Sequence, residues 1–542
     1  MKIVIAERIS AAGYKLLQEL HEWQVVGPEE FAAAPDEHIR DADALIVRSA
    51  VQADRKLIEK AGRLRVIGRA GVGVDNVDVE LATHKGIVVM NTPGANAVAV
   101  AEHTIGLMIC LARHICKADQ STRAGGWEKK NLQGRELAGK TLGIVGLGRI
   151  GVEVARRAGA MGMHVFAYDP YVASSVAREV NASLVSLDEL YAASDYISLH
   201  VGLTAQTSEM VNAAAIAKMK RGVRLVNCAR GELIDERALL QGLRDGHVAG
   251  AALDVFTVEP PRNNPLFELD NVIATPHIGG STAEAQEAVG SQIAAQVREY
   301  LTRDVAQNAV NIPSLTDVQY AQLRPYLELA ERMCSLLGQL IPANLEELRI
   351  EYSGPITEWR TELVRSSAIK GVLKHSSEDP INLVNASAVA KQRGLHISEV
   401  RDETGSAAGL SLLFIRLKSN HTNVSARGTV VHGNSPRVTE LNTIEIEAPL
   451  EGNLLVISNR DLPGVIGSVG SILGGNRINI ARFALGRSVA NRMAAGVSDG
   501  ADRATQRHAM AIVQTDSRVP EHVMQQLRDV PEILSVSAVV LD

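Results

Sequence analysis

From Lys2 to Thr275, short unbroken runs of β-branched and aliphatic residues alternate with helical stretches, and few architectures accept that pattern. Strands read at residues 2–6, 44–47, 65–68 and 87–90, with helical segments such as 54–61 between them. A second series runs through 141–145, 164–168, 196–200, 224–227, 249–255 and 271–275. Strands that are apolar on both faces and joined by helical crossovers belong to parallel sheets covered on both sides. The pattern fades at Asn311-Ile312-Pro313-Ser314, so the chain up to that point predicts two α/β units. At roughly 150 residues per domain, 542 residues leave room for one or two more.

Downstream, a helical stretch over 320–340 precedes alternating segments at 347–351 and 412–417, which predicts an α+β module. The C-terminal part reads strand 454–458, helix 464–473, strands 478–485 and 510–514, helix 521–527 and strand 533–541. That βαββαβ order is a ferredoxin-like layout. A long stretch, 486–508, separates its second and third strands.

Only 3% of the residues are aromatic, so the cores are built from Val, Ile, Leu and Ala, and base-stacking platforms for single-stranded nucleic acid are excluded. Lys and Arg total 56 against 62 acidic residues, a charge of -6 that lacks the basic excess of a duplex binder. The longest stretch free of Asp, Glu, Lys, Arg and His, 87–101, contains Pro93 and Gly94 and falls short of the ~20 residues of a spanning helix. Met1 to Glu7 reads as a first strand, not a signal peptide. Cys110, Cys116, Cys228 and Cys334 show no CxxC or metal-finger spacing. A cytoplasmic chain with reduced thiols and no metal is the expectation.

Gly146-Leu147-Gly148-Arg149-Ile150-Gly151 follows a predicted strand and opens a helix, the context of a dinucleotide fingerprint. Gly146 allows the tight turn, Gly148 the approach of a pyrophosphate to the helix N-terminus, and Gly151 close packing of helix on sheet. Asp169 ends the next strand, where a carboxylate accepts hydrogen bonds from the adenosine ribose and repels a 2′-phosphate, so NAD is favoured over NADP. Arg230, Glu259 and His277 each lie just past the C-terminal end of a predicted strand, where open α/β sheets bind ligands. Histidine exchanges a proton near neutrality, a carboxylate orients the ring, and a guanidinium forks onto a substrate carboxylate. Taken singly, each is as readily a loop or surface residue. Their shared placement makes the case.

Residues 1–310 resemble the D-isomer-specific 2-hydroxyacid dehydrogenases. The resemblance is carried by Gly146–Gly151, Val226-Asn227-Cys228-Ala229-Arg230-Gly231, Asp254-Val255-Phe256 through Glu259-Pro260, and Thr275-Pro276-His277-Ile278-Gly279. It implies that Arg230, Glu259 and His277 bind the substrate and move its proton. It also implies cofactor contacts at Arg149, Ile150, Cys228, Ala229, Asp254 and Gly279. Arg69-Ala70-Gly71-Val72-Gly73-Val74-Asp75-Asn76-Val77-Asp78, Asn91-Thr92-Pro93-Gly94-Ala95-Asn96 and the long tail are similar to a long-form branch. Its members oxidise 3-phosphoglycerate to 3-phosphohydroxypyruvate with NAD. The alternatives are another D-2-hydroxyacid dehydrogenase, such as a glyoxylate or hydroxypyruvate reductase, and an NAD(H)-sensing corepressor.

That resemblance implies two Rossmann/flavodoxin-like domains, an α+β intervening domain and a C-terminal ACT regulatory domain. The substrate domain would comprise 1–96 and 288–314, the cofactor domain 97–287, the intervening domain 315–450 and the ACT domain 451–542. The chain would return on a helix starting near Ser281, with capping-box spacing from Ser281 to Glu284. Arg48, Arg69 and Asn96 are carried over to the substrate, with Lys129 and Lys130 reaching a neighbouring subunit's site in a homo-oligomer, a dimer or tetramer. His200-Val201-Gly202 departs from the family's His-Thr-Pro. In the last domain Asp461 and Asn479 match positions that bind free L-serine, but Arg477 replaces the usual glycine, and its side chain is expected to crowd that pocket.

Overall fold

The computed structural model describes residues 1–313, 315–341, 345–375, 380–402, 409–420, 422–488 and 508–541. Most of the stretch 486–508, and the boundary residue Ser314, lie outside them. The first sheet has five parallel strands in the spatial order Gln24–Val26, Lys2–Ile5, Ala44–Val47, Val66–Arg69, Val88–Met90. In this doubly wound order the switch point falls between Lys2–Ile5 and Ala44–Val47. Ile3, Val4, Ile5, Leu45, Ile46 and Val66 are fully buried, as an aliphatic sheet covered on both faces requires.

The second sheet has seven parallel strands, ordered Val272–Ala274, Val248–Leu253, Val223–Asn227, Tyr196–Leu199, Thr141–Val145, His164–Tyr168, Ala182–Leu184. Its switch point lies between Tyr196–Leu199 and Thr141–Val145. The helix Ala97–Arg113 runs from the first sheet into this domain and ends at His114, whose φ of 55° starts a 64° bend into the helix Ile115–Arg123. Among the described residues no single helix is long and apolar enough to cross a membrane.

The helix Ala283–Arg303 brings the chain back onto the first sheet, burying Val289, Ile293 and Val297 there. It crosses the helix Ala11–Gln18 so closely that a Cβ on Gly13 would sit 2.5 Å from the Gly290 carbonyl oxygen. Its cap differs from the expected box: Thr282, not Ser281, is the N-cap, and its hydroxyl accepts from the Ala285 amide at 3.1 Å. The helix begins one residue later than the Ser281 spacing suggests.

The third sheet is ordered His396–Asp402, Leu345–Ser353, Leu412–Ser419, Asn423–Val431, Ser435–Leu441, Ile444–Pro449, parallel in its first pair and antiparallel beyond. The C-terminal sheet is antiparallel, ordered Ile480–Arg487, His508–Thr515, Gly452–Arg460, Ile533–Leu541, which with helices Val465–Gly475 and Glu521–Arg528 completes βαββαβ. The long helix Asp317–Leu340 serves both sheets. One apolar cluster holds its Leu329, Met333 and Leu337, Leu348 and Ile415 of the third sheet, and Val456 and Ile512 of the fourth. Gln339 near its end clasps the last strand, Nε2 donating to the Val540 carbonyl at 3.0 Å and Oε1 accepting from the Val540 amide at 3.1 Å.

Candidate active site

The glycine loop follows Thr141–Val145 and opens the helix Arg149–Ala160 at the switch point of the second sheet. Gly146 has φ of 94°, and a Cβ on it would stand 2.6 Å from the His200 carbonyl oxygen. Gly148 faces open space, with no atom within 4 Å of where a Cβ would be. Any Cβ on Gly151 would overlap the Gly146 carbonyl. The turn, the open approach and the close packing that a dinucleotide needs are all present. Asp169 Oδ2 accepts from the Leu147 amide at 2.9 Å, which ties the ribose-side carboxylate to this loop. The Arg149 guanidinium reaches out of the helix to the Pro93 carbonyl, while Ile150 is half-buried behind it.

His277 stands beyond Val272–Ala274 in the left-handed region, at φ of 54°, uncommon for a residue with a Cβ. Asp254, 1% exposed, holds that conformation. Its backbone oxygen accepts from the His277 amide at 2.9 Å, and its carboxylate accepts from Thr275 Oγ1 at 2.6 Å and from the Ile278 and Gly279 amides at 2.9 and 2.8 Å. Burial would raise the Asp254 carboxyl, but His103, Thr275 and the two amides outweigh it and hold it below the usual carboxylate range. Asp254 and Gly279, expected beside the cofactor, thus meet each other and shape the His277 loop.

His277 Nδ1 lies 2.8 Å from Glu259 Oε2, and Glu259 Oε1 accepts from the Phe256 amide at 3.1 Å. A carboxylate only accepts, so Nδ1 is the donor in this pair, and in the neutral ring Nε2 is the nitrogen left with a lone pair. The Arg230 loop is pressed onto the same backbone: a Cβ on Gly231 would overlap Phe256. Buried Asn227 clamps that loop, accepting from the Ala229 amide at 3.0 Å and donating to the Arg230 carbonyl at 2.8 Å. Cys228 turns its side chain into the core, where burial pushes the thiol up to about 12.

Across the cleft, Arg230 Nε donates to Asp75 Oδ2 at 2.9 Å. The turn that carries Asp75 passes under two guanidiniums, and Cβ atoms on Gly71 and Gly73 would overlap Arg69 and Arg230 respectively. Arg69 is largely buried, and its Nε has no partner. Burial first, then the Arg230 charge, pushes its guanidinium below its usual range, only partly countered by Asp75 and Glu7. Arg48 joins this set. Its amide donates to Glu7 Oε1 at 2.8 Å, Nη1 donates to the Arg8 carbonyl at 3.1 Å, and Nη2 donates to Gln286 Oε1. A cavity of about 440 Å³ opens here, at the switch point of the first sheet, lined by Arg8, Ser10, Arg48, Ala70, Thr282 and Gln286.

Asn96, expected at the substrate, caps the helix Ala97–Arg113 and buries its Oδ1 without a partner. Lys129 and Lys130 lie exposed on the turn Lys129–Leu132, without a hydrogen bond or ion pair to any described residue of this chain. In the C-terminal domain Asp461 is engaged by Arg487 at 3.2 Å and Asn479 donates to Asp516 at 2.7 Å, so the two do not meet. Arg477 is left-handed at φ of 59°, the conformation a glycine there would take freely, and its side chain is exposed instead of filling a pocket. Sequence reasoning missed Glu7, Asp75 and Gln286. Asp75 sits inside a motif already singled out, whereas nothing local marks Gln286.

Residues 105–279 match the family described as D-isomer specific 2-hydroxyacid dehydrogenase, NAD binding domain. Residues 322–442 match the D-3-phosphoglycerate dehydrogenase intervening domain. A D-3-phosphoglycerate dehydrogenase of Methanocaldococcus jannaschii is 40% identical over 543 residues, 99% of each chain, and one of Bacillus subtilis is 36% identical over 538 residues, again 99% of each. Among solved structures, the D-lactate dehydrogenase of Aquifex aeolicus complexed with NAD and lactic acid aligns with a TM-score of 0.52 at 30% identity, covering 58% of this chain and all of that one. A glyoxylate reductase from Paecilomyes thermophila gives 0.53 at 33% identity, covering 57% and 98%. With nearly the whole chain aligned to such relatives, this protein belongs to the D-3-phosphoglycerate dehydrogenase family.

Proposed function

We propose that the chain oxidises 3-phospho-D-glycerate to 3-phosphohydroxypyruvate with NAD, the first step of phosphorylated L-serine biosynthesis. The observation that carries the reading is the His277–Glu259 pair on the backbone against which the Arg230 loop is packed, with the Arg230 and Arg48 charges both acting on Arg69. A substrate with a carboxylate at one end and a phosphate at the other offers each of these guanidiniums an anionic partner. Bound at the glycine loop, NAD supplies a hydride acceptor. His277 Nε2 takes the C2 hydroxyl proton as the hydride leaves, and Glu259 stabilises the imidazolium through Nδ1. Arg230 forks onto the carboxylate and the developing carbonyl. Arg48 and Arg69 hold the phosphate, and Asn96 contributes to substrate binding. Arg149, Ile150, Cys228 and Ala229 frame the cofactor cleft through their backbone.

We divide the chain into a substrate domain of 1–96 and 288–314, a cofactor domain of 97–287, an intervening domain of 315–450 and an ACT domain of 451–542. The protein works as a cytoplasmic homo-oligomer, a reading supported by four free thiols and by Lys129 and Lys130, which have charge to offer a neighbouring subunit. L-serine is its effector, taken up where Asp461 and Asn479 exchange their present partners, Arg487 and Asp516, for its ammonium and carboxylate. Calorimetric titration of L-serine into wild type and Asp461→Ala tests this: heat in the first and none in the second is expected, and no heat in either refutes it. The reaction itself is tested with NADH against phosphohydroxypyruvate, hydroxypyruvate, glyoxylate and 2-oxoglutarate. Phosphohydroxypyruvate should give the highest kcat/KM, and a preference for an unphosphorylated acid would overturn the assignment.

A further inference from the structure

Outside the cleft, two thiols share one cavity. Cys110 lies in the last turn of the helix Ala97–Arg113 and Cys116 in the first turn of Ile115–Arg123, and both line a space of about 400 Å³ against the edge strand Val272–Ala274. On one straight helix, residues six apart point to different faces, since only three- and four-residue spacings make neighbours. Here the left-handed His114 and the 64° bend turn the second helix, so Cys116 comes to line the same cavity as Cys110. Cys116 is exposed and Cys110 half-buried, whereas Cys228 and Cys334 are sealed in the core. Neither member of the pair has a part in the chemistry of the cleft.

We propose that Cys110 and Cys116 are a redox modification site that closes to a reversible intramolecular disulfide by exchange with a small-molecule disulfide such as oxidised glutathione. The Cys116 thiolate attacks one sulfur of oxidised glutathione, breaking its S–S bond and releasing one glutathione thiolate. The Cys110 thiolate then attacks the Cys116 sulfur, forming the protein disulfide and releasing the second glutathione thiolate. Two protein thiols are oxidised, one small disulfide is reduced, and the two cysteine protons end on the two glutathiones. Burial, and the neighbouring Cys116, hold the Cys110 thiol above its usual range, which fits the order of attack: the exposed thiol first, the shielded one as resolver. The staple would set the angle between two helices at a place with reach into the active site. Lys117, next to Cys116, pairs with Asp270 at 2.7 Å, just ahead of the strand that leads to His277.

The test uses the full chain exposed to millimolar oxidised glutathione, trapped by alkylation and mapped as non-reduced peptides by mass spectrometry. The expected result is a peptide linked through Cys110 and Cys116 as the major product, lost on dithiothreitol treatment, with Cys228 and Cys334 alkylated only after unfolding. Cys110→Ser should instead accumulate glutathione on Cys116, because the resolving thiol is gone. Circular dichroism of Cys110→Ser checks that it folds. Wild type that keeps both thiols free, stops at a glutathione adduct on Cys116, or links Cys116 between two chains overturns the proposal.

Discussion

Arg230 and Asp75 stand 155 positions apart in the chain and meet at 2.9 Å across the cleft, the arginine from the second sheet and the aspartate from the first. Both Nε and Nη2 lie within reach of the same Asp75 oxygen, and Nη1 rests on the Ala229 carbonyl. The guanidinium is therefore aimed before substrate arrives, and each domain supplies half of the aim. Arg230→Lys keeps the charge but loses the planar fork. We expect kcat/KM for phosphohydroxypyruvate to fall by about ten- to hundredfold, the worth of one charge-assisted bond of roughly 1.5–3 kcal/mol, in steady-state assays with NADH.

His277→Ala removes the only base aimed from the Glu259 pair into the cleft. Positioned acid–base catalysis is worth about 10²–10⁴ in rate, so kcat should drop by that factor while NADH affinity, measured by fluorescence titration, stays near wild type. A variant within threefold of wild type would take His277 out of the mechanism.

Arg48→Ala and Arg69→Ala should discriminate between substrates. On the proposed reading each removes a charge assigned to the phosphate, so use of phosphohydroxypyruvate should fall about ten- to hundredfold while hydroxypyruvate is much less affected. Equal losses on both would assign the two arginines to the scaffold.

Gln286 accepts from Arg48 and donates to the Gly280 carbonyl at 3.0 Å, so it links the phosphate side to the loop that carries His277. Gln286→Ala should raise KM for phosphohydroxypyruvate by about fivefold, one ordinary hydrogen bond of about 1 kcal/mol, with kcat nearly unchanged. A fall in kcat at constant KM would place its role at His277 instead.

His200 offers a pH signature. Burial pushes its imidazole down to about 4, with Nε2 bonded to Ser198 Oγ at 2.9 Å and Nδ1 buried without a partner. A depressed folded-state value means that the unfolded chain takes up this proton first as pH falls. The contribution to stability is thus present above about 6.5 and is lost as pH falls toward 4. A fall from 6.5 to about 4 makes the loss on the order of 3 kcal/mol. Urea denaturation between pH 7 and 4 should show this slope, and His200→Gln should flatten it.

Legibility in the sequence followed pattern length. Thr141–Val145 and the glycine loop after it were readable because a five-residue strand with four buried positions, a turn and a helix sit in one contiguous window. Gln24–Val26 and Ala182–Leu184 went unread: each has three residues and an exposed position, too short for any period to show. Ser435–Leu441 and Ile444–Pro449, which end the third sheet, also went unread, although Ile444–Pro449 alternates buried and exposed positions as a half-covered strand does. At the site, residue types and strand ends were legible, yet contacts were not. No local rule pairs Arg230 with Asp75, or shows that Asp254 clasps the loop behind His277. The same holds for Asp461 and Asn479, whose present partners, Arg487 and Asp516, are set by the tertiary fold.

The helix Asp317–Leu340 closes two sheets with one apolar face and grips Val540 through Gln339. The last ninety or so residues are therefore not a cassette to be trimmed or traded between enzymes. Cutting the chain after the third sheet would remove Val456, Ile512 and Val539 from the apolar cluster that also holds Met333, Leu336 and Leu337. Any catalytic fragment made that way would carry a greasy, sticky wall, and its behaviour would report that wound as much as the loss of a sensor.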